Sequence, residues 1–289
     1  MSTLHVRTTL AVRSTLRLHR PAAILWALAL AAATGYLIRL HALADEARKG
    51  VSPCAVPAQD NLPLCSAVEA ITADATYADG IALVTGCLAL LMFPVAAWAG
   101  AVVGRELETG TARLAWTQST SPARWLATRL TVPAALITAG TTTVVLLGNW
   151  ARTDDNPDLV GDWYYSDVFI GTGPAAVAHA LAGLALGTLA GLLTGRALAG
   201  AGTAFVACLV LYNTVDLFRG NLWPTLTHVG AFEPPRSYYQ VDWSADETRL
   251  TYHPVSHYWP LQYVETGVLL TVAAAATLAA FLLLRRRTA

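Results

Sequence analysis

Residues 80–103 read GIALVTGCLALLMFPVAAWAGAVV, a stretch without one charged side chain. A helix rises about 1.5 Å per residue, so about 20 apolar residues cross the roughly 30 Å of hydrocarbon in a bilayer. Five further runs reach that standard: 22–40, 131–149, 173–195, 198–217 and 264–284. Inside lipid every backbone amide must find its partner within the chain, so such runs are helices and not open strands. The fifth run is the least clean, because it ends in Asn213, Thr214 and Asp216. These runs predict an all-α integral membrane protein with six transmembrane helices, built as one membrane domain over 1–289.

The composition agrees. The chain of 289 residues is 55% hydrophobic and 13% charged, with a mean hydropathy of +0.46; soluble domains carry about 25% charged residues. Net charge is zero, which argues against nucleic acid as a partner. One lysine, Lys49, stands against eighteen arginines, which fits a high-GC bacterial gene. Residues 1–20 are too polar and Arg-rich for the apolar part of a signal peptide, so the first span is expected to remain as an anchor.

Basic residues set the expected orientation. With both termini cytoplasmic, the inner side holds Arg7, Arg13, Arg17, Arg20, Arg105, Arg113, Arg124, Arg129, Arg196 and Arg285 to Arg287, twelve of the nineteen Lys and Arg. The only acids on that side are Glu106 and Glu108. The positive-inside rule therefore predicts an N-in, C-in protein in the cytoplasmic membrane. Outer segments follow at 41–79, 150–172 and 218–263, and a tight inner turn falls at Gly195–Arg196.

The inner segment 104–130, GRELETGTARLAWTQSTSPARWLATRL, is the most informative. Gly110 interrupts any helix continuing from span two. Ser121 before Pro122 is a helix start, a hydroxyl to cap free amides and then a proline at the first turn. Between the two breaks a short helix from Thr111 to Gln118 is expected, carrying Arg113 and an exposed Trp116, suited to a groove on a partner. Glu106 and Glu108 read as helix-end and docking charges.

Glu106, Gly110 and Thr111 in a Glu-x-x-x-Gly-Thr pattern, followed by Ser121-Pro122-Ala123-Arg124-Trp125, resemble the segment after the second span of ABC-2 type transporter permeases. Residues 173–196, GPAAVAHALAGLALGTLAGLLTGR, resemble the Gly-rich fourth span of a bacterial branch of that family. Residues 253–267, HPVSHYWPLQYVETG, resemble its aromatic Pro-Ser-Arg-Phe-Trp-Pro entry to the last span, with His257 and Tyr258 where Arg and Phe are more usual. The resemblance implies that the short helix is a coupling helix contacting an ABC ATPase subunit, with Glu106, Gly110, Thr111, Arg113, Trp116 and Arg124 in the contact. It also implies a second permease copy, identical or homologous, and export as the direction. No phosphate-loop motif occurs, so ATP is expected on the partner subunit and no cofactor on this chain.

Other positions carry weaker signals. Cys54 and Cys65 share the first outer segment, and a bridge there would contribute about 2–4 kcal/mol. Cys87 and Cys208 lie within spans as small packing residues. His253 and His257 have the spacing of metal ligands, but Pro254 divides them and no third ligand is evident, which favours an interfacial pair. His179, Asn213, Asp216 and Glu265 lie in or beside apolar spans, where ionisable groups face the bundle or a wet cavity. They are candidates for a substrate path, with interfacial solvation an equal reading. Two rival functions stand beside the permease: a proton-coupled secondary carrier using His179, Asp216 or Glu265, and a membrane-embedded enzyme, for which no reactive constellation appears.

Overall fold

The computed structural model describes residues 20–54, 68–118, 120–152, 156–230, 233–244 and 249–288. Six helices among them are long and apolar enough to cross a membrane. The first, α1 (Arg20–Cys54), starts with Pro21 in its first turn and runs well past the predicted end at residue 40. Hydropathy ends there but helix propensity does not: Ala, Leu, Glu, Arg and Lys continue it, and Asp45 pairs with Arg48 one turn on. At 35 residues it is about 50 Å long, more than the hydrocarbon needs. Cys65 and the side chain of Cys54 lie outside the described residues, so the expected bridge does too.

Span two is two helices in line, α2 (Val68–Ala89) and α3 (Met92–Glu108), parted at Leu90–Leu91. Pro94 causes the break. It has no amide to return to the Leu90 carbonyl, and Phe93 supplies a tighter bond to that oxygen instead, at 3.1 Å. The short helix α4 (Thr111–Gln118) follows, after Gly110 turns the chain at φ 74°. Helix α5 (Pro122–Ala151) carries span three, and Ser121 Oγ accepts from the Arg124 amide at 3.3 Å. Two short helices, α6 (Pro157–Val160) and α7 (Ser166–Thr172), precede α8 (Ala175–Thr194). Gly195, at φ 62°, then closes the predicted hairpin into α9 (Ala197–Phe218). The last span is α10 (Tyr258–Thr288).

Helix α8 is the hub, packing against α3, α5, α9 and α10. Its apolar window is 72% buried, against 22% for span five and 11% for span one. Small residues make this possible. A Cβ on Gly183, Gly187 or Gly191 would collide with the carbonyl oxygens of Met92, Ala96 and Gly100 on α3. Bare glycines bring the two backbones into direct contact, the packing that membrane helices favour where hydrophobic exclusion is weak.

The described residues of the segment 218–263 build a small layer of their own. It opens with a 3-10 turn, Arg219–Asn221, and then forms an antiparallel sheet of β1 (Leu226–Val229), β2 (Tyr239–Trp243) and β3 (Arg249–His253), in the order β1-β3-β2. Some aromatic residues of the segment pack within this layer and onto its neighbours, while Trp223, Trp243, Trp259 and Tyr263 are exposed. Trp163 donates to the Ser237 carbonyl at 2.7 Å, Tyr164 stacks on Tyr239, and Arg236 binds Asp158 and Asp162. The segments after spans three and five thus share one end of the bundle.

Candidate functional site

At the opposite end, the span-two helix and α5 are clasped by one carboxylate. Glu106 Oε2 accepts from Trp125 Nε1 at 2.8 Å and from Arg129 Nε at 3.2 Å, and its other oxygen lies 2.9 Å from a second Arg129 nitrogen. The expectation of Glu106 as a surface docking charge is therefore corrected: its charge is spent inside the fold. Trp116 also differs from expectation. It is half-buried, edge-on to Trp125 with ring centroids 5.6 Å apart. Thr111 Oγ1 reaches back to the Glu106 carbonyl at 3.1 Å, fixing the angle at Gly110. Arg113 and Arg124 are exposed. Glu108 accepts the Ala197 amide at 2.9 Å, capping α9, and Arg287 donates to the Leu192 and Leu193 carbonyls at the end of α8. The segment 104–130, the 195–196 turn and the C-terminal arginines thus meet at one end.

The second site lies about two turns inside the other end, and no single stretch of sequence announces it. Glu265 on α10 and His179 on α8 are fully buried, with His179 Nε2 at 3.0 Å from Glu265 Oε1. Arg219 Nε donates to Glu265 Oε2 at 2.8 Å, and its Nη1 donates to Asp216 at 2.8 Å and to Ser166 at 3.0 Å. Ser166 also donates to Asp216, and the Arg219 guanidinium lies 4.7 Å from the centre of the Phe169 ring. His179 Nδ1 faces the Met92 sulfur at 3.4 Å, beside the break in span two. Burial of this many charges is tolerated because each finds an opposite partner.

Of the four polar positions singled out in the sequence, three converge here: His179, Asp216 and Glu265. Interfacial solvation fits only Asp216, whose side chain is 42% exposed. Asn213 stands apart on the exposed face of α9 and donates to the Leu209 carbonyl one turn back, at 2.7 Å. Sequence reading missed Arg219 and Ser166, because both lie outside the apolar runs where a buried charge stands out. The available signal was Asp216 and Arg219 at i, i+3, an ion-pair spacing across the end of a span.

Among the described residues no group of three or more His, Cys, Asp or Glu has the geometry to hold a metal ion. Cys208 is buried as expected, whereas Cys87 is exposed on its helix.

None of the curated proteins or solved structures compared matches the chain. The family described as ABC-2 membrane transporter related does match, over residues 24–219, from the first span to the arginine at the centre of the buried cluster. That match covers more than half of a multi-pass helical membrane protein, and the chain therefore belongs to the ABC-2 membrane transporter related family, whose members are membrane subunits of ABC transporters.

Proposed function

We propose that the chain is the permease subunit of an ABC exporter in the cytoplasmic membrane, N-in and C-in, working with a separate ATPase subunit and a second permease copy. The observation that carries this reading is the short helix α4. It is joined to span two by the Thr111 hydroxyl on the Glu106 carbonyl and to span three by the Trp116–Trp125 ring contact, while Glu106 ties those two spans together through Trp125 and Arg129. It presents Arg113, with Arg124 at the start of α5, outward at the basic end. A surface helix fixed in this way transmits a push from a docked partner into two spans at once, and its exposed arginines suit a partner face bearing carboxylates. ATP belongs to that partner. Movement of spans one to three against the second copy then exposes the substrate path alternately to the two sides. The decisive experiment is co-purification with an ATPase encoded beside it, followed by ATP turnover in proteoliposomes. Stable capture with turnover that rises on adding substrate supports the reading; transport without any ATPase, driven by an ion gradient, overturns it.

A proton-coupled carrier is the second reading, favoured by the direct contact between His179 and Glu265. The same experiment separates the two, because a carrier needs a proton gradient and no nucleotide.

A further inference from the structure

Beside the Trp163, Tyr164 and Arg236 contacts, two imidazoles that the transport reading leaves unused join the sheet-bearing layer to the bundle. His253 ends β3 and is fully buried, while His257 lies in the 3-10 turn that leads into α10. His253 Nε2 is 2.9 Å from the Gly220 carbonyl oxygen, which can only accept, so Nε2 carries a proton. His253 Nδ1 is 2.9 Å from His257 Nδ1, a hydrogen-bond distance at which the two nitrogens share one proton. With both rings neutral, His257 Nδ1–H donates to the lone pair of His253. One added proton is accommodated by exchanging roles, with His253 donating and His257 protonated at its other nitrogen. A second added proton sets two N–H groups on two cations face to face, and the bond is lost.

We propose that His253 and His257 form a proton-operated clasp that holds the end of the three-stranded sheet to the entry of span six, and that double protonation opens it. The surroundings oppose the charged form. Tyr239 stacks on His253 from β2, Tyr258 follows His257, and Arg219 precedes Gly220, already committed to Glu265 and Asp216. Among the described residues no carboxylate pairs with either imidazole. Burial first, and His257 in addition, hold His253 below its ordinary value of 6.5, against the Gly220 carbonyl, which favours the charged form. The folded clasp thus favours neutral His253, so the stability it contributes is present above about pH 6.5 and is lost as pH falls below that. Opening parts the end of β3 from the turn that enters α10, while the charged His253 keeps its Nε2–H bond to the Gly220 carbonyl. Which compartment's acidity acts rests on the orientation proposed above; the clasp itself does not.

The test uses the full chain in lipid nanodiscs, where both faces meet one buffer and no ATPase is needed. Hydrogen exchange, corrected for its intrinsic pH dependence, is read for peptides covering 249–257. Protection there is expected to fall about tenfold or more between about pH 7.5 and about pH 5, while α8 is unchanged. In His257→Asn the side-chain amide offers either a donor or an acceptor to His253, so protection is expected to persist at both pH values. Flat protection in the unaltered chain, or a His257→Asn variant as acid-labile as its parent, overturns the clasp. Nitrogen-15 spectra of the unaltered chain test it independently of any variant: His253 must carry its proton on Nε2 at neutral pH, and the Nδ1 tautomer would exclude the geometry.

Discussion

The two ends of the bundle each hold a half-hidden or hidden ion pair, and the two are built differently. Glu106 and Arg129 stand at the basic end, with side chains 13% and 10% exposed, on the two helices that flank α4. Glu265 and Arg219 stand at the other, 0% and 3% exposed, in a cluster drawn from α7, α8, α9, α10 and the turn after α9. Water still reaches the first pair and softens its electrostatics. The second lies in a medium where an unpaired charge has no recourse. The first therefore joins the ends of two spans, and the second ties the opposite end of the bundle together.

That contrast makes Arg219→Met the most damaging single change. It strips the cation from a buried carboxylate, and a loss of about 3–5 kcal/mol is expected, read as a lowered melting midpoint in detergent. Adding Glu265→Gln to it should recover much of the loss, because the lone charge goes too. A single variant melting like the unaltered chain would show that the cluster is not what holds this end. Glu106→Gln ranks second, at about 1–3 kcal/mol, since the amide still accepts from Trp125 but no longer neutralises Arg129. If its effect equals that of Arg219→Met, the two ends are energetically alike and the contrast fails. Smallest for stability is Arg113→Glu, within about 0.5 kcal/mol, because the side chain is exposed. Its expected effect is on capture of the ATPase, measured by pull-down beside the melting curve; undiminished capture would remove α4 from the docking surface.

Much of the basic end was legible because its signals are local. Gly110, Ser121-Pro122 and Gly195-Arg196 act through their own φ angles, caps and missing amides, and each break falls where the residues place it. The inward turn of Glu106 was hidden, since it depends on where Trp125 and Arg129 stand after α5 has packed. The outer layer was read least well. Its aromatic residues have the composition of a membrane belt, and only pairing between β3 and its two neighbours shows that they build a sheet.

The amino-acid sequence by itself determined the class of this protein, because crossing hydrocarbon needs long apolar helices and little else, and hydropathy counts those directly. It also marked His179, Asp216 and Glu265 as out of place in their surroundings. Only the tertiary structure decided that they belong to one cluster and that Arg219 is its centre. Charges buried in a low-dielectric interior must be matched by partners in space, and a partner contributed by another helix leaves no trace in the spacing along the chain.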